Sequence, residues 1–251
     1  MQLAVYAAIR AALEKDTPVA VATIVRGENL GRQVVLTADG RHVGSLGASA
    51  LDAEIMRRAL ALLSTFQCER VTLDQAPIEV FIECHGPRPT LVIVGAVHVA
   101  ITLVQLARVL GFRTVVVDPR GAFATRERFP DVDDLLVEWP AEAFERVRLN
   151  EATSLAVLSH DMKIDVPALV HGLRSRVPYI GALGSRTTQA KRAAALRAEG
   201  VSAEDIERIH SPIGLDLGGR RAQETALSIM AEIVAVSHGI GSRFTVSSSG
   251  D

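Results

Sequence analysis

The chain has 251 residues, of which 48% are apolar and only 4% aromatic, so its core must be built from Ala, Val, Leu and Ile. That composition favours α/β layers over a β-sandwich, and the length suits one large domain or two smaller ones. A formal net charge of −2, with acids and bases mixed along the chain, argues against a general nucleic-acid partner.

The start, Met1-Gln2-Leu3-Ala4-Val5-Tyr6, lacks the basic region and long apolar stretch of a signal peptide. No apolar run is long and uncharged enough to span a bilayer, so a cytoplasmic protein without a membrane span is expected. The amphipathic pattern predicts a helix over 2–15. Strands follow at Val19–Val25, Gln33–Thr37 and Arg41–Val43, with Ala38-Asp39-Gly40 as the turn between the last two. A helix at Ala50–Ser64, with Ser49 as its cap and Asp52 strengthening its start, precedes short strands at Arg70–Leu73 and Ile78–Glu83. The two cysteines, Cys68 and Cys84, fit no zinc spacing, and no metal site is expected. Cys84-His85 reads either as a loop thiol or as a redox pair. His85-Gly86-Pro87-Arg88-Pro89 breaks the pattern and divides a smaller mixed α+β domain, 1–86, from a second domain, 87–239.

In the second domain the rhythm changes. Leu91–Val94 is short and wholly apolar, as strands buried on both faces of a parallel sheet are, and Thr114–Val117 reads as the next buried strand. Further strands are expected at Leu155–Leu158 and Tyr179–Leu183. Helices are expected at Val97–Leu110, closed by Gly111, and at Val166–Arg174, Arg186–Ala198, Ala203–Ile209 and Gln223–Val236. Alternating strands and helices imply right-handed crossovers and a Rossmann-like, doubly wound parallel sheet. Residues 240–251, ending Ser247-Ser248-Ser249-Gly250-Asp251, read as a disordered tail.

The chemistry-bearing residues sit after the strands. Leu91-Val92-Ile93-Val94-Gly95-Ala96-Val97-His98-Val99-Ala100 lies where a dinucleotide fingerprint should be, and Asp118 stands where a ribose-binding acid would. The second glycine of that fingerprint is Val97, whose side chain should crowd a pyrophosphate. Gly95 is then either a ligand contact or a packing residue. In Asp118-Pro119-Arg120 the acid could accept from a hydroxyl and Arg120 could hold a phosphate, or the pair could end the strand in a turn. His98 begins a helix, where it could meet an anion. In Ser159-His160-Asp161, His160 could bind a ligand or move a proton with Asp161 orienting it. Tyr179-Ile180-Gly181-Ala182-Leu183-Gly184-Ser185-Arg186 runs from a strand through Gly184 to the cap Ser185, and Arg186 adds charge to a helix start suited to an anion. His210-Ser211-Pro212-Ile213-Gly214-Leu215-Asp216-Leu217-Gly218 sets Asp216 between glycines before the last helix. No nucleophile–base–acid set can be assembled, so no catalytic residues are expected and a carrier is favoured over a catalyst.

These runs, with Glu224-Thr225-Ala226-Leu227-Ser228-Ile229-Met230-Ala231-Glu232, resemble in order and register the XdhC/CoxI family of accessory proteins for molybdenum hydroxylases, over about Pro89–Val236. The resemblance implies a maturation factor that binds molybdenum cofactor, a phosphorylated pterin, and delivers it to a xanthine or carbon monoxide dehydrogenase type of apoenzyme. It also implies a homo-oligomer, with a cysteine desulfurase as a second candidate partner. The chain departs from the family at Val97, where Gly-Ala-Gly-His-Val is usual. It departs again at Leu46-Gly47-Ala48-Ser49-Ala50-Leu51-Asp52, where Ser or Ala replaces the family's cysteine, which argues against a thiol role. Two alternatives stay open: an NAD(P)-dependent oxidoreductase, for which Asp118 favours NAD, and a docking module that has lost ligand binding.

Overall fold

The computed structural model describes residues 3–15, 17–63, 67–72 and 77–240, with only the backbone of Arg186. Gln2, Ser64, Leu73 and residues 241–251, which fall within expected elements or the expected tail, lie outside the described residues. The chain divides into two compact units, Met1–Pro87 and Arg88–Asp251.

The first unit runs α1 (Leu3–Glu14), β1 (Val19–Arg26), β2 (Gln33–Thr37), β3 (His42–Gly44), α2 (Ser49–Leu63), β4 (Glu69–Thr72) and β5 (Glu79–His85). Its sheet has the order β3-β2-β1-β5-β4, antiparallel throughout. The central strand β1 is apolar on both faces, because each face meets a helix. Val19 and Val21 pack with Val5 and Ala12 of α1, whereas Ala20, Ala22 and Ile24 pack with Ile55, Ala59 and Leu63 of α2. Ser49 is the first helical residue of α2 rather than its cap. Asp52 anchors the preceding loop instead, accepting from Ser45 Oγ and Leu46 N at 2.7 Å each. Cys84 is buried and Cys68 exposed; burial, then the neighbouring Cys68, pushes the Cys84 thiol up to about 11.

The second unit runs β6 (Thr90–Val94), α3 (His98–Val109), β7 (Arg113–Val117), β8 (Asp134–Leu136), α4 (Pro140–Arg146), β9 (Thr153–Val157), α5 (Met162–Arg174), β10 (Tyr179–Ala182), α6 (Arg186–Ala198), α7 (Ala203–Glu207), β11 (Ile209–His210) and α8 (Ala222–Ser237). Its strands lie in the order β8-β7-β6-β9-β10-β11, and every pairing is parallel. In sequence order this is 3-2-1-4-5-6, the doubly wound Rossmann arrangement. Leu91, Ile93, Val116 and Ala156 face α3 and α8. Val92, Val94, Val115, Leu155 and Val157 face the other way, toward α4, α5 and α6. Both faces are covered, which is why these strands carry no polar alternation.

Beyond shifts of one or two residues at element ends, the structure differs from the sequence expectation in the second unit as follows. The strand β8 and helix α4 were not expected; β8 has three residues, too few for periodicity, although Pro140 at the first turn of α4 is a helix-start signal. Helix α5 starts at Met162 instead of Val166, because Asp161 caps it and the helix runs through Pro167. The helix expected to reach Ile209 ends at Glu207, and Ile209–His210 instead forms an edge strand beside β10. Val97 lies outside α3 as its cap residue, with extended backbone.

The two halves of the sheet meet between β6 and β9, and Gly95 permits that meeting. Its φ is +108°, and a Cβ there would lie 2.6 Å from Ser159 N and 2.8 Å from Ser159 Cα. Gly111, at φ +83°, has open space where a Cβ would sit. Gly95→Ala should therefore cost about 3–5 kcal/mol, backbone strain plus overpacking, whereas Gly111→Ala should cost about 1 kcal/mol from backbone strain alone. Denaturant midpoints of the two variants check the difference.

Candidate functional site

In a parallel sheet every strand delivers its following loop to the same edge, and the crevice opens where the winding reverses. Here the reversal lies between β6 and β9. The turns Gly95-Ala96-Val97 and Ser159-His160-Asp161 therefore flank the crevice, with Asp118-Pro119-Arg120 after β7 on one side and Gly184-Ser185-Arg186 after β10 on the other.

Asp118 is fully buried, and its carboxylate is saturated. Oδ1 accepts from Arg120 N and Arg120 Nε at 2.9 Å each. Oδ2 accepts from Ala96 N and Arg120 Nη2 at 2.8 Å each. A carboxylate offers about four lone-pair sites, and all four are taken by the chain. Burial pushes this carboxyl up, but the Arg120 guanidinium and the two backbone N–H groups outweigh it and hold it below its ordinary value. Arg120 thus pairs with Asp118 instead of presenting its fork outward, and its guanidinium lies over Phe123 at 4.6 Å. Its charge is further favoured by Asp161 and Asp165. Arg128, unremarked in the sequence, donates to Ala96 O at 2.9 Å and Phe123 O at 2.6 Å, fastening the loop after β7 to the glycine turn.

His98 is exposed on the first turn of α3. His160 is exposed too, with φ +61°, an uncommon conformation for a residue with a side chain. Asp161 was expected to orient His160; in the structure it caps α5, its Oδ1 accepting from Lys163 N at 2.9 Å. An Asp at that position can satisfy an otherwise unpaired helix N–H, and this local bond prevails. Beneath the turn lies a group that sequence reading missed. Asp165 is fully buried, takes a hydrogen bond from Ser159 Oγ, and pairs with Arg192 Nη2 at 2.7 Å; Arg192 is 2% exposed. A charged pair at matching positions on two amphipathic helices carries no sequence signal, since each member reads as one more charge on a solvated helix face.

Ser185 caps α6, its Oγ accepting from Thr188 N at 3.3 Å, and Gly184 precedes it. The backbone of Arg186 opens the helix. Asp216 is exposed in the loop after β11 and accepts from Gly218 N at 3.0 Å, a local turn. The structure therefore joins Asp118 and Arg120 to Ala96, the residue after Gly95, in one bonded unit. It sets His98, His160, Asp161, Gly184 and Ser185 on the same sheet edge, and leaves Asp216 engaged in its own turn. Among the described residues, no cluster of three or more His, Cys, Asp or Glu side chains is placed to hold a metal. No helix among them is long and apolar enough to cross a membrane.

A second, half-buried network ties β10, β11 and α8 together. Glu232 accepts from Tyr179 Oη at 2.6 Å and from Gly214 N at 2.8 Å, and meets His210 Nδ1 at 3.1 Å; the two rings lie 4.8 Å apart. Burial raises the Glu232 carboxyl, but these partners outweigh it and hold it below its ordinary value. Burial, then Glu232, pushes the Tyr179 phenol well above its usual value. A carboxyl lowered by folding contributes stability that is present above its unfolded pKa and is lost as pH falls through the folded one. Glu232→Gln should cost about 1.5–3 kcal/mol near neutral pH, and the deficit should shrink below about pH 4. Thermal melts of both proteins across pH check this.

Comparisons with known proteins bear on the same elements. Residues 91–233 match the family described as the XdhC Rossmann domain, and residues 12–74 match the XdhC and CoxI family. The chain is 30% identical over 241 residues to the uncharacterized protein YqeB of Escherichia coli (strain K12), covering 89% of this chain and 44% of that one. It is 29% identical to a probable xanthine dehydrogenase subunit of Bacillus subtilis (strain 168), over 61% of this chain and 44% of that one. It is 33% identical to the molybdenum cofactor insertion chaperone PaoD of Escherichia coli (strain K12), over 39% of this chain and 30% of that one. The chain thus spans less than half the length of these relatives. A crystal structure of a xanthine dehydrogenase from Bacillus halodurans aligns over 98% of each chain, with a TM-score of 0.54 and 20% identity, a likeness of fold. With a Rossmann match covering more than half its length and an N-terminal match before it, the chain belongs to the XdhC/CoxI family.

Proposed function

We propose that this protein is an accessory factor that holds molybdenum cofactor as cargo and hands it to the apoenzyme of a molybdenum hydroxylase, with no chemistry of its own on a nicotinamide. The relatives named a cofactor insertion chaperone and a dehydrogenase subunit support the assignment of cargo and client. The observation that carries the choice between carrier and NAD(P) oxidoreductase is Asp118. In a dinucleotide-binding sheet the acid at this position accepts from ribose hydroxyls. Here its acceptor sites are filled by Ala96 and Arg120, so a ribose would have to break an internal ion pair to bind. Val97 adds to this from the glycine's usual place, although part of its bulk is turned into the core.

The crevice supplies little uncommitted positive charge, since Arg120 and Arg192 are matched by Asp118 and Asp165. The cargo phosphate is assigned instead to the start of α6. That helix carries Arg186, Lys191, Arg192 and Arg197 and no acid, and its first N–H groups and dipole end favour an anion. The client apoenzyme is the proposed partner. A thiol-based transfer of sulfur by this chain itself is not part of the reading, because the stretch Leu46–Asp52 holds Ser or Ala where the resemblance implies a cysteine, and it leads directly into α2.

Purified protein from cells making the cofactor should release a fluorescent oxidised pterin and no nicotinamide; recovery of nicotinamide alone would reverse the reading. Arg186→Ala should weaken cargo binding by about 1.5–3 kcal/mol, the range of a charge-assisted hydrogen bond, with the melting temperature nearly unchanged. The double variant Val97→Gly, Arg120→Ala should gain NAD affinity measurable by calorimetry, because it reopens both the pyrophosphate turn and the ribose acceptor. A double variant that folds and gains nothing would show that Asp118 and Val97 are not what excludes the nucleotide.

A further inference from the structure

Helix α6 has a second feature, apart from its N-terminus. Gln189, Arg192, Ala193 and Leu196 line one side of an open groove of about 270 Å³, and Ile206 of α7 and Ile209 of β11 line the other. Arg192 gives Nη2 to Asp165 at 2.7 Å and to Leu183 O at 2.9 Å. Its Nε and Nη1, together with Gln189 Nε2, are buried and have no partner among the described residues. A buried donor left unpaired costs about 1–3 kcal/mol, and proteins seldom leave several in one place. All three are donors, so what is missing is an acceptor. Asp165 does not supply it: its oxygens accept from Ser159 Oγ and Arg192 Nη2, and none of the three unpaired donors reaches them.

We propose that this groove binds a small ligand that joins an oxyanion to an apolar body. The oxyanion pairs with Arg192 and Gln189, and the body lies against Ala193, Leu196, Ile206 and Ile209. The charge agrees: Asp165 balances only one of the four cations carried by α6. Gly184 lies against Arg192 Nη1, where a Cβ would stand 3.6 Å from it. The inference shares the cations of α6 with the cargo reading but rests on the groove and on the unpaired donors of Arg192 and Gln189, which that reading does not use.

The test is titration of the full chain with benzoate and with phenyl phosphate, inorganic phosphate serving as the probe without an apolar body. The assigned Arg192 Nε–H signal is followed by NMR. A saturable shift is expected with at least one of the two aromatic probes, and which one responds identifies a carboxylate or a phosphate as the preferred oxyanion. Inorganic phosphate should bind at least tenfold more weakly. Ala193→Phe fills the groove without touching the Asp165–Arg192 pair and should lower affinity tenfold or more. Gln189→Leu removes one donor while leaving Asp165 paired, and should lower it about tenfold; it carries the test if Ala193→Phe does not fold. Loss of cargo binding in Arg186→Ala with the probe shift intact would separate this site from the cargo site. The proposal is overturned if neither aromatic probe moves the Arg192 signal, if inorganic phosphate binds as tightly as phenyl phosphate, or if Gln189→Leu binds as the wild type does.

Discussion

A buried carboxylate at the end of β7 organises the second unit. β7 is enclosed on both faces, so Asp118 emerges into a place without water, where an ionised group survives only if its oxygens are met. The chain meets them with Ala96 N from the turn after β6, Arg120 N from its own turn, and the Arg120 fork. One side chain thereby joins the glycine turn to the loop after β7. Arg128, bonded to Ala96 O, locks the same junction from the other side. The close seat of Ser159 on Gly95 then fixes where the turn after β9 lies relative to the turn after β6.

The consequence for function is electrostatic. A Rossmann crevice normally keeps an acid free for ribose and leaves a close-approach turn bare for phosphate. This crevice has used its acid internally, and its charged groups answer one another: Arg120 to Asp118 with Asp161 and Asp165 beyond, and Arg192 to Asp165. Such pairing favours a rigid frame over a hydride-transfer site. The cationic surface left over lies on α6, two strands from the switch point on the order β6-β9-β10-β11. A fold built for dinucleotides is thus compatible with a different anion held at a different helix.

The first unit shows the same substitution of structure for chemistry. The stretch Leu46–Asp52, which holds no cysteine, leads into α2, with Asp52 bound back to Ser45 and Leu46. The remaining thiol in the core, Cys84, is buried and held protonated at neutral pH, which suits packing better than sulfur transfer. On the described residues this unit reads as a helix–sheet–helix layer around β1.

Much of this was written into the sequence. The apolar runs Leu91–Val94, Val115–Val117 and Leu155–Leu158 announced strands buried on both faces, and their alternation with amphipathic helices announced a parallel doubly wound sheet, because burial acts directly on local composition. Ser185 announced the start of α6 through its capping chemistry. Three residues were too few to announce β8, and Ile209–His210 became a strand only because β10 offered an unpaired edge. The site was legible in position but not in role. Asp118, Arg120 and Asp161 were found because parallel strands deliver their loops to one edge, yet whether an acid faces a ligand or its own chain depends on which donors arrive from elsewhere. Ala96 comes to Asp118 from 22 residues away, and Arg192 to Asp165 from 27. Local sequence determined the elements and the edge on which the chemistry-bearing residues fall. Only the tertiary structure decided which charges meet, because an ion pair between distant helices leaves no periodic trace in either of them.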